Sequence, residues 1–539
     1  MKRIKGGLFV TGLLLLLAGC ARMRYAPAAG DPIIRVGILE DQETIYFEPQ
    51  NEFSVVAYDA RENFQALEKG LWKATVHSLV PHALKFHIQL YESLERDRAE
   101  EQAARFRGKG LAVTIKSQGE QLQSGGKMLI DRLYHRVILD KDFDSSEEAD
   151  LYLKSRSTLA QGRVVRSMED VAMGKIALHS PSGRTTIITQ ALRLTGTNVV
   201  LRDVEVGSGY HWARNEARTY GGEMELRISA KGRLTAINVV PLELYLRGVV
   251  AGEMANSFPD EALKAQAIIS RTMFLNSFGR FHRGAEFDVC DDVHCQAYVG
   301  MSHNSDPVDK AVHDTKGLVL TYQDALCTAS YSAMCGGHTA SAAEVWDGDG
   351  EPYLTGRLDT RTDIGQLDLT REENARLWIS SRPDVCCNLS EAGHPDFGKY
   401  AEKYFRWEQR IPRVDLEKSI AEYAGTSIGK LVDIVPVQRG VSGGLISITC
   451  VGTEESVQVR KELNIRRALS KSTLYSSCFI VEKEEIRNGL AETFVFKGAG
   501  WGHGVGLCQL GAAVRAQKGD SVSEILSYYY PGTQIKQLY

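Results

Sequence analysis

The sequence predicts a mixed α+β fold, with a mainly β and α/β N-terminal region followed by a mixed α+β domain that carries a groove. Two observations lead there. Up to about residue 238, short runs of alternating apolar and polar residues are separated by Gly and Asn turns, the period-two signature of half-buried strands. From Leu234 onward the texture changes to punctuated helices, glycine-rich turns and clustered Cys and His. With 539 residues and 43% hydrophobic content, the chain is long enough for roughly two to four domains with real cores. A net charge of −4 gives no electrostatic case for nucleic acid as a partner.

The chain opens with the basic run Met1-Lys2-Arg3-Ile4-Lys5 and a leucine-rich apolar stretch over residues 8–17. This is the pattern of an export signal and is too short for a stable membrane span. It ends Leu17-Ala18-Gly19-Cys20, which resembles a bacterial lipoprotein cleavage box. Residues 1–19 then form the signal, and Cys20 carries acyl chains that hold the mature protein to a membrane. An ordinary signal peptide with a chance cysteine is the competing reading. Residues 20–32 read as a tether, and no later apolar stretch is long enough to cross a bilayer. The body is expected to be exported, tethered and soluble. Nine of the ten cysteines follow Cys20, so at least one is free or metal-bound unless it pairs between chains.

Strand-like segments cover residues 33–39 and 53–58, within an N-terminal region expected to span residues 33–210. A charged helical stretch covers 92–107. Residues 111–159 form a separate αβ unit, with a strand at 134–139 and a helix opened by the capping-box pattern Ser145-Ser146-Glu147-Glu148. That unit weakly resembles the sporulation-related repeat domain that binds peptidoglycan glycans, although a generic αβ unit is the preferred reading. Strands dominate residues 174–238. Pro241 is placed as the first residue of a helix on which Leu242, Leu246, Val249 and Glu253 fall within roughly 60° of one another. The apolar stripe therefore ends in a carboxylate. Either Glu253 snorkels from a frayed end, or its carboxyl is sheltered, hard to ionise and fit to act as a general acid. A second helix starts at Ser257-Phe258-Pro259-Asp260-Glu261 and stops near Gly279. It carries the polar Gln266 on the face of Leu263, Met273 and Phe274, as a structural clamp or a substrate contact.

The motifs then follow in order. The first is Val240-Pro241-Leu242-Glu243-Leu244-Tyr245-Leu246, leading to Ala251-Gly252-Glu253-Met254. Next come Phe258-Pro259-Asp260-Glu261-Ala262-Leu263-Lys264-Ala265-Gln266-Ala267, and Ser270-Arg271-Thr272. Asp288-Val289-Cys290-Asp291-Asp292-Val293-His294-Cys295-Gln296-Ala297-Tyr298 and Tyr331-Ser332-Ala333-Met334-Cys335-Gly336-Gly337-His338 lie downstream. Gly500-Trp501-Gly502-His503-Gly504-Val505-Gly506-Leu507-Cys508-Gln509 and Tyr530-Pro531-Gly532-Thr533 close the series. Over residues 211–539, with His211-Trp212 at its start, the chain resembles the stage II sporulation protein D family, which includes the amidase enhancers. The resemblance implies a catalytic domain with lytic transglycosylase activity, cutting the MurNAc–GlcNAc bond of peptide-free peptidoglycan glycan strands without water. It assigns catalysis to Glu253. Gln266, Arg271, Tyr331, His503 and Gln509 are the candidates for holding the glycan, and His503 equally fits a residue that satisfies its own loop. The chemistry needs no cofactor. The enhancer branch implies a second class of function, a non-catalytic glycan binder that stimulates a cell-wall amidase.

Cys290, His294 and Cys295, with His282 upstream, have the residue types and spacing of a structural zinc site, and some members of the family bind zinc at this motif. A Cys290–Cys295 disulfide is the alternative after export. A catalytic zinc hydrolase is the weakest option, since no helix carries a His-Glu-x-x-His pair. The alternating glycines from Gly500 to Gly506 suggest backbone lying against a sugar or another chain segment. Cys335 and Cys508 read as small residues in tight turns or as partners of each other. Cys386 and Cys387 suggest a disulfide with Cys450 or Cys478.

Overall fold

The structure, a computed structural model, describes residues 31–539 apart from 58–62, 67, 81–84, 167–172, 211, 304, 366, 391–392 and 394. The export signal, Cys20, most of the tether and His211 lie outside the described residues. The chain forms two compact units, and the fold is mixed α+β with a β-rich N-terminal region.

The first unit comprises Leu79–Gln118 and Tyr134–Met173. Its elements are, in order, the strand Phe86–Ser93, helix Arg96–Gly108, the part of strand Val113–Ser124 up to Gln118, the part of strand Lys127–Leu139 from Tyr134, helix Ser146–Lys154 and strand Arg163–Arg166. In the sheet the third strand lies between the second and the first, and the fourth flanks the first, which is a split βαβ arrangement. Ile88, Leu90, Val137 and Leu139 from the sheet pack with Ala99, Ala103 and Ala149 from the helices. The αβ unit is thus larger than residues 111–159, because its first strand and helix precede that range. The helix expected at 92–107 begins at Arg96, since Glu92 and Ser93 complete a strand. The Ser145 side chain caps its helix by accepting from the Glu148 N–H at 3.1 Å.

The second unit comprises Ala29–Ser78, Gly119–Leu133 and Gly174–Tyr539. A seven-stranded sheet runs Val289–Cys290, Ile33–Gln42, Leu234–Pro241, Glu223–Ile228, Ala191–Thr195, Phe53–Ala57, Asn63–Ala66. Ile33–Gln42 pairs antiparallel with Leu234–Pro241, Ile33 facing Pro241 and Val36 facing Asn238. The division expected at residue 210 is therefore no break in the structure, since strands from both sides of it share one sheet. Composition marks where strands are, but pairing between strands two hundred residues apart depends on register, which a single sequence does not display.

Pro241 ends the strand Leu234–Pro241 and caps the helix Leu242–Glu253, which therefore begins one residue later than expected. Leu242, Leu246 and Val249 are fully buried, as the period requires. The second helix is Asp260–Ser277, capped by Pro259 rather than Ser257. Arg271 on this helix holds Glu243 on the first in a bidentate pair, Nε–Oε1 2.8 Å and Nη2–Oε2 2.6 Å. Further along, the short strands Tyr331–Ser332 and Leu507–Cys508 pair in parallel, so the intervening chain leaves and returns at one place. That intervening region has its own core, with Trp407, Leu416, Ile434, Ile448, Phe479 and Phe494 among its members. Among the described residues no helix is long and apolar enough to cross a membrane.

Candidate active site and metal-ligand clusters

Glu253 is the last residue of its helix, and its position depends on the glycine before it. A Cβ on Gly252 would stand 2.8 Å from the Ala297 carbonyl oxygen. Without one, residues 297–299 lie directly against the helix, and the Ala297 N–H donates to Glu253 Oε1 at 3.1 Å. Tyr331 Oη donates to the same oxygen at 3.0 Å, and Gln509 Nε2 reaches Oε2 at 3.4 Å. Three segments far apart in sequence therefore converge on one carboxyl group. The residue is part-buried, and burial raises the pKa of its carboxyl; the donors from Ala297, Tyr331 and Gln509 act in the opposite direction without cancelling that shift.

A second ring of amides orients these donors. Gln509 Nε2 also lies 3.3 Å from Gln266 Oε1, and Gln266 Nε2 donates to Ser270 Oγ at 2.9 Å. Gln296 Oε1 is 3.2 Å from Tyr331 Oη, and its Nε2 donates to the Ser270 carbonyl at 3.2 Å. Gln266, Gln296 and Ser270 are buried, so each amide is committed to this network. Gln296 and Ser270 were not singled out in the sequence, although both sit inside motifs quoted there. Tyr400 was also missed. Its ring is half exposed, and burial of the hydroxyl, with the Glu253 charge second, pushes its pKa up to about 12.

Of the sequence candidates, Tyr331 and Gln509 touch Glu253, and Gln266 supports Gln509. Arg271 is a correction: it is fully buried, its guanidinium is taken by Glu243 and the Ala267 and Leu318 carbonyls, and it has no free donor face for a sugar. His503 does not touch Glu253, although it hydrogen-bonds to the backbone of Tyr331, whose hydroxyl does. Its Nδ1 accepts from the Val505 N–H at 3.0 Å, its ring packs on Trp346 at 5.0 Å between centroids, and burial pushes its pKa down to about 4. As a neutral imidazole it ties its own loop to the Tyr331 backbone. Two glycines of that loop, Gly500 and Gly506, lie against backbone: a Cβ on Gly506, at φ +73°, would lie 1.9 Å from the Ser330 carbonyl oxygen, whereas one on Gly504 would meet nothing closer than 3.6 Å. Of two cavities described, one is walled by His338, Glu344 and His503 and the other by Arg357, Leu367 and Tyr528, and neither has Glu253 in its wall.

Among the described residues, two clusters could hold a metal ion. His282, Cys290, His294 and Cys295 place their ligand atoms within 4.8 Å of one another. His282 Nε2 is 3.2 Å from Cys295 Sγ, and His294 Nδ1 is 3.5 Å from Cys295 and 3.8 Å from Cys290. Hydrogen bonding from Cys295, with His282 and the Asp292 backbone behind it, pulls the Cys290 thiol toward thiolate. The other cluster, Cys335, Asp359, Cys387 and Cys508, is wholly buried. Cys387 is therefore in contact with Cys335 at 3.8 Å, not with Cys450 or Cys478, and all nine cysteines among the described residues are free thiols.

Residues 230–322 match the family model described as stage II sporulation protein, and residues 340–506 match a domain of unknown function. The chain is 32% identical over 312 residues to the amidase enhancer of Bacillus subtilis (strain 168), covering 54% of this chain and 40% of that protein. It is 28% identical over 322 residues to stage II sporulation protein D of the same organism, covering 56% of this chain and 76% of that one. The protein of the same name from Bacillus amyloliquefaciens is 27% identical over 319 residues, again 56% and 76%. The match to the family model places a stage II sporulation protein domain in this chain, and the two sporulation proteins and the amidase enhancer support that family for it. The matched family segment contains Glu253, Gln266 and the His282–Cys295 cluster, whereas His503 falls in the stretch of unknown function and Gln509 just beyond it. The chain spans less than half the length of the amidase enhancer it matches.

Proposed function

We propose that this protein is an exported, lipid-anchored lytic transglycosylase that cleaves the MurNAc–GlcNAc bond of peptide-free glycan strands, with Glu253 as its single acid and base. The observation that carries this is the environment of one carboxyl group: desolvation raises its pKa while three donors surround it. Oε1 already accepts two hydrogen bonds, whereas Oε2 has only the long contact from Gln509. The proton therefore belongs on Oε2, the oxygen free to meet the glycosidic oxygen. Protonation of that oxygen breaks its bond to C1 and leaves an oxocarbenium-like sugar. Glu253, now a carboxylate, is stabilised by Ala297, Tyr331 and Gln509 until it takes the proton of the sugar's C6 hydroxyl. O6 then bonds to C1 and closes the anhydro ring. No water is consumed, so no second carboxylate is required. A polysaccharide groove leading to Glu253 and the acyl anchor on Cys20 belong to the same proposal.

In the first cluster, two thiols and two imidazoles fit a tetrahedral zinc ion. All four positions would be protein ligands, leaving none for a reactive water, so its role would be to fix the 282–295 loop that leads directly into Gln296 and Ala297. A second reading has a specific observation behind it: a relative that matches over half of this chain is named an amidase enhancer. In that case the chain would bind glycan and speed a cell-wall amidase without cutting. Incubation with peptide-free glycan strands separates the two. New anhydro-muramyl ends in the mass spectrum are expected here, whereas glycan binding without such ends, together with a faster partner amidase, would replace this reading with the second.

A further inference from the structure

We propose that Cys335, Cys387, Cys508 and Asp359 form a second, closed metal site for a thiophilic divalent ion of the zinc type, which clamps the neck of the region between Tyr331 and Gln509. The distances are those of a coordination sphere. A tetrahedron of Zn–S bonds of about 2.3 Å has sulfur–sulfur edges of about 3.8 Å and slightly shorter sulfur–oxygen edges. Cys335 Sγ stands 3.8 Å from Cys387 Sγ and 3.7 Å from Asp359 Oδ2, and all four ligand atoms lie within 4.8 Å of one another. A disulfide would use two of the sulfurs and strand the third beside a buried carboxylate.

The surroundings are arranged for anions. Cys508 Sγ accepts from the Cys335 and Gly511 N–H groups, each at 3.3 Å, at the start of the helix Gln509–Gln517. Asp359 is held by Arg515 through Oδ1 at 3.2 Å and by Tyr529 Oη through Oδ2 at 2.9 Å, the outer contacts that orient a ligating carboxylate. Gly511 makes room for it, since a Cβ there would fall 2.1 Å from Asp359 Oδ2. Three thiolates and a carboxylate around a divalent ion sum to two negative charges. Arg515 opposes them through Asp359, and Arg406, whose Nη1 donates to the Gly336 carbonyl, adds a second positive charge that interacts with Cys335 and Cys387. Binding would displace the thiol protons to solvent.

The placement gives the site a purpose. Cys335 and Cys508 flank the segment of unknown function, residues 340–506, while Asp359 and Cys387 come from inside it. Cys508 precedes Gln509, and Tyr331 pairs with Leu507 in the parallel bridge. An ion here would lock the root of the insertion and fix the two side chains that hold Glu253, whichever reaction Glu253 performs.

Metal analysis of the purified full chain tests this. The wild type is expected to carry two equivalents of zinc, and the Cys290→Ser/Cys295→Ser variant one. Adding Cys387→Ser should remove the remaining equivalent. Cobalt substitution of Cys290→Ser/Cys295→Ser should give the intense thiolate-to-cobalt absorption of a multi-thiolate tetrahedral site, a readout that needs no change in the second cluster and no activity. A single equivalent in the wild type, lost with Cys290 and Cys295, would overturn the proposal. So would peptide mapping that finds Cys335, Cys387 or Cys508 in a disulfide.

Discussion

At Glu253 the opposing effects have a definite sign. Burial raises its pKa above the ordinary carboxylate value of about 4.3, so the folded protein favours the protonated form. The stabilisation that the proton brings is complete below the unfolded value and is lost as pH rises through the folded value. Two outcomes follow. Carbon-13 titration of the Glu253 carboxyl should give a midpoint above the unfolded value, and cleavage should decline with rising pH through that midpoint. The melting temperature of Glu253→Gln relative to wild type should be more favourable at neutral than at acid pH. Tyr331→Phe removes a donor to the carboxylate, so the midpoint should rise further and the rate should fall by roughly 10 to 100-fold, the worth of a hydrogen bond to a charged group. Much of this was legible in the sequence. The helical period placed Glu253 on the apolar face, and the ordered motifs brought out Tyr331, Gln509 and Gln266. Gln296 and Ser270 were not found because their roles arise from contacts between segments. Arg271 was misread because a motif arginine looks the same whether it faces a sugar or a buried glutamate.

The pair of helices Leu242–Glu253 and Asp260–Ser277 is joined by the buried Glu243–Arg271 bridge. Arg271→Met leaves Glu243 without its counterion and should cost about 3–5 kcal/mol in chemical denaturation, while adding Glu243→Leu should recover much of it. Gly252→Ala acts on the site rather than on the helix. Its methyl group would push the 297–299 segment away, so cleavage should drop while the far-ultraviolet dichroism stays that of the wild type. The start of both helices was visible from Pro241 and Pro259, each of which proved to be the capping residue. The tight approach at Gly252 was not visible, since nothing in a sequence says which segment will lie against a helical glycine.

Across the molecule, strands on both sides of residue 210 share one sheet, and the Ile33–Gln42 strand lies along the strand that leads into the Glu253 helix. Removing residues 33–57 should therefore unfold the larger unit rather than release an intact remainder that carries Glu253, which limited proteolysis of the truncated chain would show. The texture change at Leu234 correctly announced helices but not a domain edge, because local composition records element type while sheet partnership is set by distant pairing. The insertion between Tyr331 and Gln509 likewise has its own core without marking its borders in composition. The most direct measurement is the rate at which wild-type protein and folded Glu253→Gln generate anhydro-muramyl ends from peptide-free glycan strands. Loss of at least about 100-fold in the variant is expected for removal of a general acid. Equal rates would show that this carboxyl does not carry the chemistry.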